Sequence, residues 1–153
     1  MGDSSSAFQF EMMMMLRHLN HLHRQVQWEQ PPLDRSAYLL LNRLELSGPM
    51  TIRELREALG LDDSTLNRQT AAIVRDGHAE RIEDPEGGVA RKFRVTAAGR
   101  TRLVAERARY EEALERVTAE WGDDESRTFA VLARRFNESF EGLENRHWER
   151  PAS

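Results

Sequence analysis

The sequence predicts a mostly helical protein in which one small β-hairpin interrupts a series of amphipathic helices. Three observations support this fold class. Apolar residues recur three or four positions apart along most of the chain, capping residues and glycines bracket two short helices near its middle, and two short segments flank a glycine-rich turn. The 153 residues suffice for one domain, or for a small module with helical extensions.

Composition narrows the classes of function. The chain has no cysteine, which excludes disulfides and thiol chemistry, and its net charge of −4 argues against indiscriminate binding to nucleic acid. The apolar run 12–16 is too short for a signal peptide or a membrane span, so we expect a cytoplasmic protein with no membrane partner. We expect that the protein is not an enzyme and binds no cofactor, because its sequence contains no nucleophile–base pair, phosphate-binding glycine loop or HExxH motif.

The first third of the chain predicts two helices. Residues 1–6 are small and polar and are expected to be disordered. Residues 7–28 carry apolar side chains at helical spacing, and Pro31 and Pro32 end this pattern within the region 7–33. A second helix follows Asp34, its expected N-cap, and stops before Gly48.

The middle of the chain predicts a helix-turn-helix followed by a hairpin. Thr51 and Glu54 have the spacing of a capping box for a helix over 52–59, after which Gly60 provides the turn. Asp62 or Asp63 caps the next helix, 64–75. Segments 79–83 and 92–95, joined by the turn 84–88, form the hairpin, or wing, so that 34–96 is a winged helix-turn-helix module.

Two longer helices complete the prediction. Residues 97–121 and 124–146 each carry a single stripe of apolar side chains, which is typical of helices that pack against a partner. Residues 97–146 are therefore expected to form two amphipathic helices, and 147–153 a flexible C-terminus.

The helix 64–75 has an outer face suited to DNA. Leu66, Thr70, Ile73 and Val74 occupy one side, and the opposite side is nearly free of acidic residues. Asn67 and Arg68 on that side can hydrogen-bond base edges in a major groove. The remaining candidates are two residues at the helix start that can hold phosphate and one basic residue at its end, namely Ser64, Thr65 and Arg75.

The pattern resembles the MarR (multiple antibiotic resistance regulator) family of winged helix-turn-helix regulators. The matching stretches are the helix 55–59, Asp63-Ser64-Thr65-Leu66-Asn67-Arg68, Gly77-His78-Ala79-Glu80-Arg81, Asp84-Pro85 and Val95-Thr96-Ala97-Ala98-Gly99-Arg100. The resemblance implies a homodimer, with 7–33 and 97–146 as its helical dimerisation region. It further implies that this dimer binds a pseudo-palindromic operator in double-stranded DNA and acts as a repressor of transcription. It also implies that Ser64, Thr65, Asn67 and Arg68 contact the DNA.

The wing departs from the family pattern. Residues 86–89 stand where the family has an aspartate and arginines, and His78 replaces an aliphatic residue. Three nearby basic residues either contact DNA or face outward for structural reasons alone, namely Arg91, Lys92 and Arg94. Arg81 either contacts phosphate or forms a salt bridge with Asp84. Between residues 51 and 96, eight basic residues face nine acidic ones, which predicts moderate, salt-sensitive affinity.

Two alternatives concern ligands and partners. His18 and His21 have a spacing that can ligate a metal, but four ligands are not in evidence and we expect no metal site. The resemblance implies instead a small aromatic or anionic effector, with lining residues His18, His21, Trp28, Tyr38 and Arg43. The neutral module and its glycine-rich wing also fit a different function, that of a winged helix that binds protein and not DNA.

Overall fold

The computed structural model describes residues 2–151, which contain six α-helices, one short 3-10 helix and a two-stranded sheet. The helices are α1 (Gly2–Leu19), α2 (Arg35–Ser47), α3 (Ile52–Leu59), α4 (Asp63–Arg75), α5 (Ala97–Val117) and α6 (Asp123–Glu144), with the 3-10 helix at Leu22–Gln25. The strands are β1 (Ala79–Ile82) and β2 (Lys92–Val95). This order confirms the predicted fold class of a mostly helical chain with one hairpin.

The chain divides into two compact units. One comprises residues 1–32 and 106–121, and the other comprises 33–105 and 122–153, so that α5 contributes to both. No helix within residues 2–151 combines the length and the hydropathy that a membrane span requires.

The first unit has a small core of its own. Leu22 and Val26 are buried against Ala113 of α5, and Trp28 and Tyr110 pack around them. The two aromatic rings meet edge to face with their centroids 5.9 Å apart. The Trp28 indole N–H also donates to the backbone carbonyl of His23 at 2.6 Å, so the chain bends back toward the 3-10 helix.

The N-terminal predictions need two corrections. The predicted helix 7–28 is wrong at both ends, because α1 begins at Gly2 and ends at Leu19, and the backbone is extended at Val26. A bend and a 3-10 turn follow α1, which brings Leu22 and Val26 into the small core. Residues 2–6, for which the sequence predicts disorder, are helical in the structure; Met1 lies outside the described residues.

The second unit holds the winged helix-turn-helix. Its core takes buried side chains from α2, α3, α4, the hairpin and the start of α5, including Leu40, Leu55, Leu66, Phe93 and Leu103. The strands pair antiparallel with Ala79 opposite Val95 and Ile82 opposite Lys92. A bridge between Met50 and Phe93 attaches the start of α3 to the hairpin.

The local signals for α3 are confirmed. The Thr51 side chain accepts a hydrogen bond from the Glu54 backbone N–H, and the Glu54 carboxylate accepts one from the Thr51 N–H, which completes the capping box. Gly60 ends the helix in the left-handed conformation at φ 65°, which glycine adopts without the steric cost of a Cβ.

The chain end contacts the second unit. Within the segment 147–153, for which the sequence predicts flexibility, His147, Trp148 and Arg150 make hydrogen bonds with residues of this unit. Residues 152 and 153 lie outside the described part. The helix α6 itself buries none of its residues in the single chain.

Candidate nucleic-acid interface

The start of α4 is held by Asp62. Its carboxylate accepts hydrogen bonds from the Thr65 backbone N–H at 2.8 Å, from the Ser64 hydroxyl at 2.5 Å and from the Thr65 hydroxyl at 2.8 Å. These bonds, the one from Ser64 first, hold the pKa of Asp62 far below its usual range. The hydroxyls that the sequence assigns to phosphate therefore already donate to an anion.

The helix α4 has the two faces that the periodicity predicts. Leu66, Thr70 and Ile73 are at most 1% exposed, and the Thr70 hydroxyl donates to the Leu66 carbonyl at 2.8 Å. Arg56 of α3 contacts Asp63 at 3.3 Å and joins the two helices at the surface. The orientation of α4 in the unit therefore follows from an apolar inner face, which leaves its other face to solvent.

The outer face of α4 presents an amide and a guanidinium without partners. Asn67 and Arg68 are exposed, and neither side chain has a hydrogen-bond or ion-pair partner anywhere in residues 2–151. Arg75, predicted as a third contact, is also exposed, but its Nε lies 3.4 Å from the Asp76 carboxylate. Asn67 and Arg68 are thus the α4 side chains most available to a ligand.

Lys92 stabilises the wing from within. Its Nζ lies 3.1 Å from the Asp84 carboxylate, and both side chains are only 11–13% exposed. The Glu86 backbone N–H and then Lys92 hold the pKa of Asp84 below its usual value, and the hydrogen bond to Asp84 raises the pKa of Lys92. Asp84 therefore pairs with Lys92 and not with Arg81, whose guanidinium carbon lies 5.1 Å from the centre of the Phe93 ring.

The other two wing cations differ in availability. Arg94 contacts Glu80 on the neighbouring strand at 2.8 Å, whereas Arg91 is exposed and unpaired among the described residues. Arg91 lines an open groove with Thr51, Ile52, Arg53, Glu54, Glu57 and Ala90. Arg53, which the sequence analysis did not select, also lines this groove but is paired with Glu57 at 3.1 Å.

His78 lies at the junction of α4 and the wing. Its backbone N–H donates to the Ile73 carbonyl at 2.9 Å, and its carbonyl accepts from the Thr96 N–H at 3.0 Å. The ring Nδ1 is buried and has no hydrogen-bond partner within the described chain. His78 therefore lies where α4 ends and the hairpin begins.

The predicted effector residues fall in different units. His18, His21 and Trp28 belong to the first, and Tyr38 and Arg43 to the second. The positive charge of Arg24, followed by burial and by Arg17, lowers the pKa of His21. No set of three histidine and carboxylate side chains within residues 2–151 is arranged to hold a metal ion.

Comparisons with known proteins identify the family of the chain. A family model described as MarR family matches residues 32–88. An uncharacterised helix-turn-helix transcriptional regulator of Bacillus subtilis, YxaD, is 38% identical over 108 residues, which cover 71% of this chain and 76% of YxaD. The chain belongs to the MarR family.

Solved structures of MarR proteins share its fold. A MarR family protein from Bacillus stearothermophilus superposes with a TM-score of 0.76 at 19% identity, over 92% of this chain and 98% of its own. The regulator PcaV from Streptomyces coelicolor, in complex with its natural ligand, gives a TM-score of 0.62 at 23% identity, over 85% and 92%. These structures share the winged-helix fold of this MarR chain, and the family model and YxaD support its role as a transcription regulator.

Proposed function

We propose that this MarR protein is a cytoplasmic repressor that binds a pseudo-palindromic operator as a homodimer, with α4 of each subunit in a major groove. The single observation that carries the proposal is the exposed face of α4 around Asn67 and Arg68. An amide can pair with adenine and a guanidinium with guanine, each through two hydrogen bonds. Because neither side chain has a partner in the described chain, DNA would not have to break an ion pair to bind them.

The charge distribution supports selective binding. Arg75, Lys92 and Arg94 are each paired with a carboxylate, which leaves Arg68 and Arg91 as the unpaired cations of the predicted contact set within residues 2–151. Ser64 and Thr65 remain predicted contacts at the start of α4, but beside the Asp62 carboxylate. With one or two phosphates neutralised per subunit, and so two to four per dimer, we expect a slope of log K against log salt of about −2 to −4.

The homodimer is proposed from the exposed apolar face of α6. In the single chain its five large stripe residues are 43–87% exposed, namely Phe129, Leu132, Phe136, Phe140 and Leu143. An exposed apolar surface of this kind on a soluble chain is typical of an interaction site. We propose that a second copy covers it, because a two-fold arrangement presents α4 to two successive half-sites.

Arg68→Ala tests the DNA contact. A lost guanine pair costs about 1–3 kcal/mol per half-site, so we expect at least a tenfold loss of operator affinity in the dimer. Arg134→Ala is the matched control, because Arg134 is also an exposed helical arginine, on α6, paired with Glu138 at 3.2 Å. Equal affinity of the two variants, each folded by circular dichroism, would refute the proposed contact.

Selection of genomic DNA with the purified protein separates the two classes of function. A two-fold symmetric site with half-sites about one helical turn apart supports the regulator. Recovery of no enriched sequence supports the alternative, a protein-binding winged helix, for which the near-neutral module is the favouring observation.

We also propose that a small aromatic or anionic effector binds this protein and releases it from DNA. The support lies in the positive charge of Arg17 and Arg24 around His21, and in the half-buried Trp28 beside Tyr110. Thermal melts with a panel of phenols and antibiotics test it. A ligand at 100 times its Kd stabilises by about 2.7 kcal/mol, which raises Tm by about 5–10 °C for a chain of this size.

A further inference from the structure

The chain reverses direction after α6, and the Glu141 carboxylate holds the residues that follow against the end of this helix. Asn145 ends the helix in the left-handed conformation at φ 53°, and the Arg146 N–H donates to the Glu141 carbonyl at 3.0 Å. The Glu141 side chain then accepts from the Trp148 backbone N–H at 3.1 Å and from both terminal nitrogens of Arg150, at 2.8 and 3.2 Å. Residues 146–150, the C-terminal segment, are therefore folded onto the last turns of α6.

The electrostatics of this contact indicate a specific ion pair. Glu141 and Arg150 are only 16% and 28% exposed, so water screens them less than a surface pair. The Arg150 hydrogen bond, followed by that of the Trp148 N–H, holds the pKa of Glu141 below its usual value. The same bond raises the pKa of Arg150. The two-bond geometry fixes the direction in which the segment leaves α6.

The segment covers a buried arginine of α2. Arg43 is 9% exposed, its Nη1 donates to the His147 carbonyl at 3.3 Å, and its guanidinium carbon lies 5.4 Å from the centre of the Trp148 ring. No carboxylate among the described residues pairs with Arg43, and its buried Nε has no hydrogen-bond partner there. The segment thus provides the polar and aromatic contacts of this buried charge, which attach it to α2.

The segment also touches the turn of the helix-turn-helix. The Arg146 guanidinium lies against Gly60, where a Cβ would fall 2.7 Å from both Cζ and Nη1 of Arg146. Gly60 lies between α3 and α4, and its N–H closes α3 on the Arg56 carbonyl. One five-residue segment therefore contacts the end of α6, the middle of α2 and the turn before the recognition helix.

We propose that the C-terminal segment is a positioning element for DNA binding, which holds α2 and the α3–α4 turn so that α4 keeps its angle to the operator. The inference rests on the proposed function. Contacts of this kind change the affinity at a distant site by restricting the geometry of the binding element. Because the segment is assigned no phosphate contact, its loss should weaken operator binding without changing the number of ions released.

Trp148→Ala and Glu141→Gln test the proposal in the full-length protein. We expect each to weaken operator binding about three- to thirty-fold with an unchanged slope of log K against log salt. We also expect faster hydrogen exchange at the Gly60 amide and along α2 than in the wild-type protein. Asp124→Asn is the matched control, because it likewise converts an ion-paired acid of α6 to its amide, but an exposed one, 2.8 Å from Arg127.

Four outcomes decide the inference. Unchanged affinity together with unchanged exchange overturns it, and so does a loss of affinity with a shallower salt slope, which would mean direct contact with DNA. Arg150→Lys keeps the charge but not the two-bond geometry, so an intermediate effect supports the positioning role. If the wild-type protein binds no operator, the proposed function fails, and unchanged exchange at Gly60 in the variants would then separately overturn the positioning role.

Discussion

Gly99, in the first turn of α5, packs directly against the backbone at the junction of α4 and the wing. A Cβ at this position would lie far inside contact distance of the His78 carbonyl oxygen, and 2.9 Å from Val95 Cγ1. The carbonyl cannot turn away easily, because it accepts the Thr96 N–H at 3.0 Å, and Val95 is only 3% exposed. Gly99→Ala must therefore displace backbone by about 1 Å to restore ordinary contact distances.

The expected cost follows from two opposing effects. Overpacking costs about 1–3 kcal/mol or more, whereas replacing a helical glycine by alanine gains about 0.5–1 kcal/mol. Because the clash is with main-chain atoms, we take the upper part of the first range and expect a net loss of about 2 kcal/mol. For a chain of this length, that lowers Tm by about 4–8 °C.

Gly142→Ala provides the matched control for the thermal melt. Gly142 lies in α6, on the side of the helix away from the apolar stripe, and a Cβ placed there would meet no atom within 4 Å. This variant should hold or raise Tm, since it gains helix propensity without a clash. A Gly99→Ala protein as stable as wild type, with Gly142→Ala behaving as expected, would refute the reasoning about close backbone approach.

The capping box of α3, the apolar stripe of α6 and the half-buried carboxylates of Asp84 and Glu141 each lead to a further prediction. Thr51→Ala removes the side-chain oxygen that accepts the Glu54 N–H and should cost about 1 kcal/mol, seen as a Tm lower by about 2–4 °C. Phe136→Asp places a charge in the α6 stripe and should yield monomers in sedimentation, while a dimer of unchanged affinity would contradict the proposed interface. Because the folded state lowers the pKa of Asp84 and Glu141, their stabilisation is complete above the unfolded pKa of about 4 and is lost as pH falls through the folded values. Unfolding free energy measured from pH 6 to pH 2 should therefore fall less steeply for Glu141→Gln than for wild type.

The helix-turn-helix could be predicted because its signals are local. The capping box of α3, the left-handed Gly60 and the spacing of Leu66, Thr70 and Ile73 each depend on residues within four positions of one another. The structure confirms all three. The outer face of α4 then follows from the inner one, because helical geometry places Asn67 and Arg68 opposite the buried side chains.

Features that depend on distant residues could not be predicted in this way. Nothing near Trp148 in the sequence indicates Arg43, 105 positions earlier, as the residue beneath it. The partners of the wing cations depend in the same way on strand register, which pairs Arg94 with Glu80 and brings Lys92 to Asp84. The sequence gives the number of basic and acidic residues in the wing, but only the fold shows which of them form ion pairs with each other.

The end of α1 shows a different limit. Apolar spacing continues through Leu22 and Val26, so the pattern predicts an uninterrupted helix. Both residues are buried, but through a 3-10 turn and extended backbone that place them against Ala113. For Leu22 and Val26, periodicity therefore indicates the burial of the side chains but not the backbone conformation that produces it.

The carboxylate of Asp62 at the start of α4 has a consequence for how such a protein would find its operator. Sliding along DNA requires contacts to the phosphate chain that are the same at every base pair, and a negative group beside the free N–H groups of α4 weakens one of them. A regulator with this carboxylate should therefore bind unrelated sequence more weakly than one with an uncharged residue at the same N-cap.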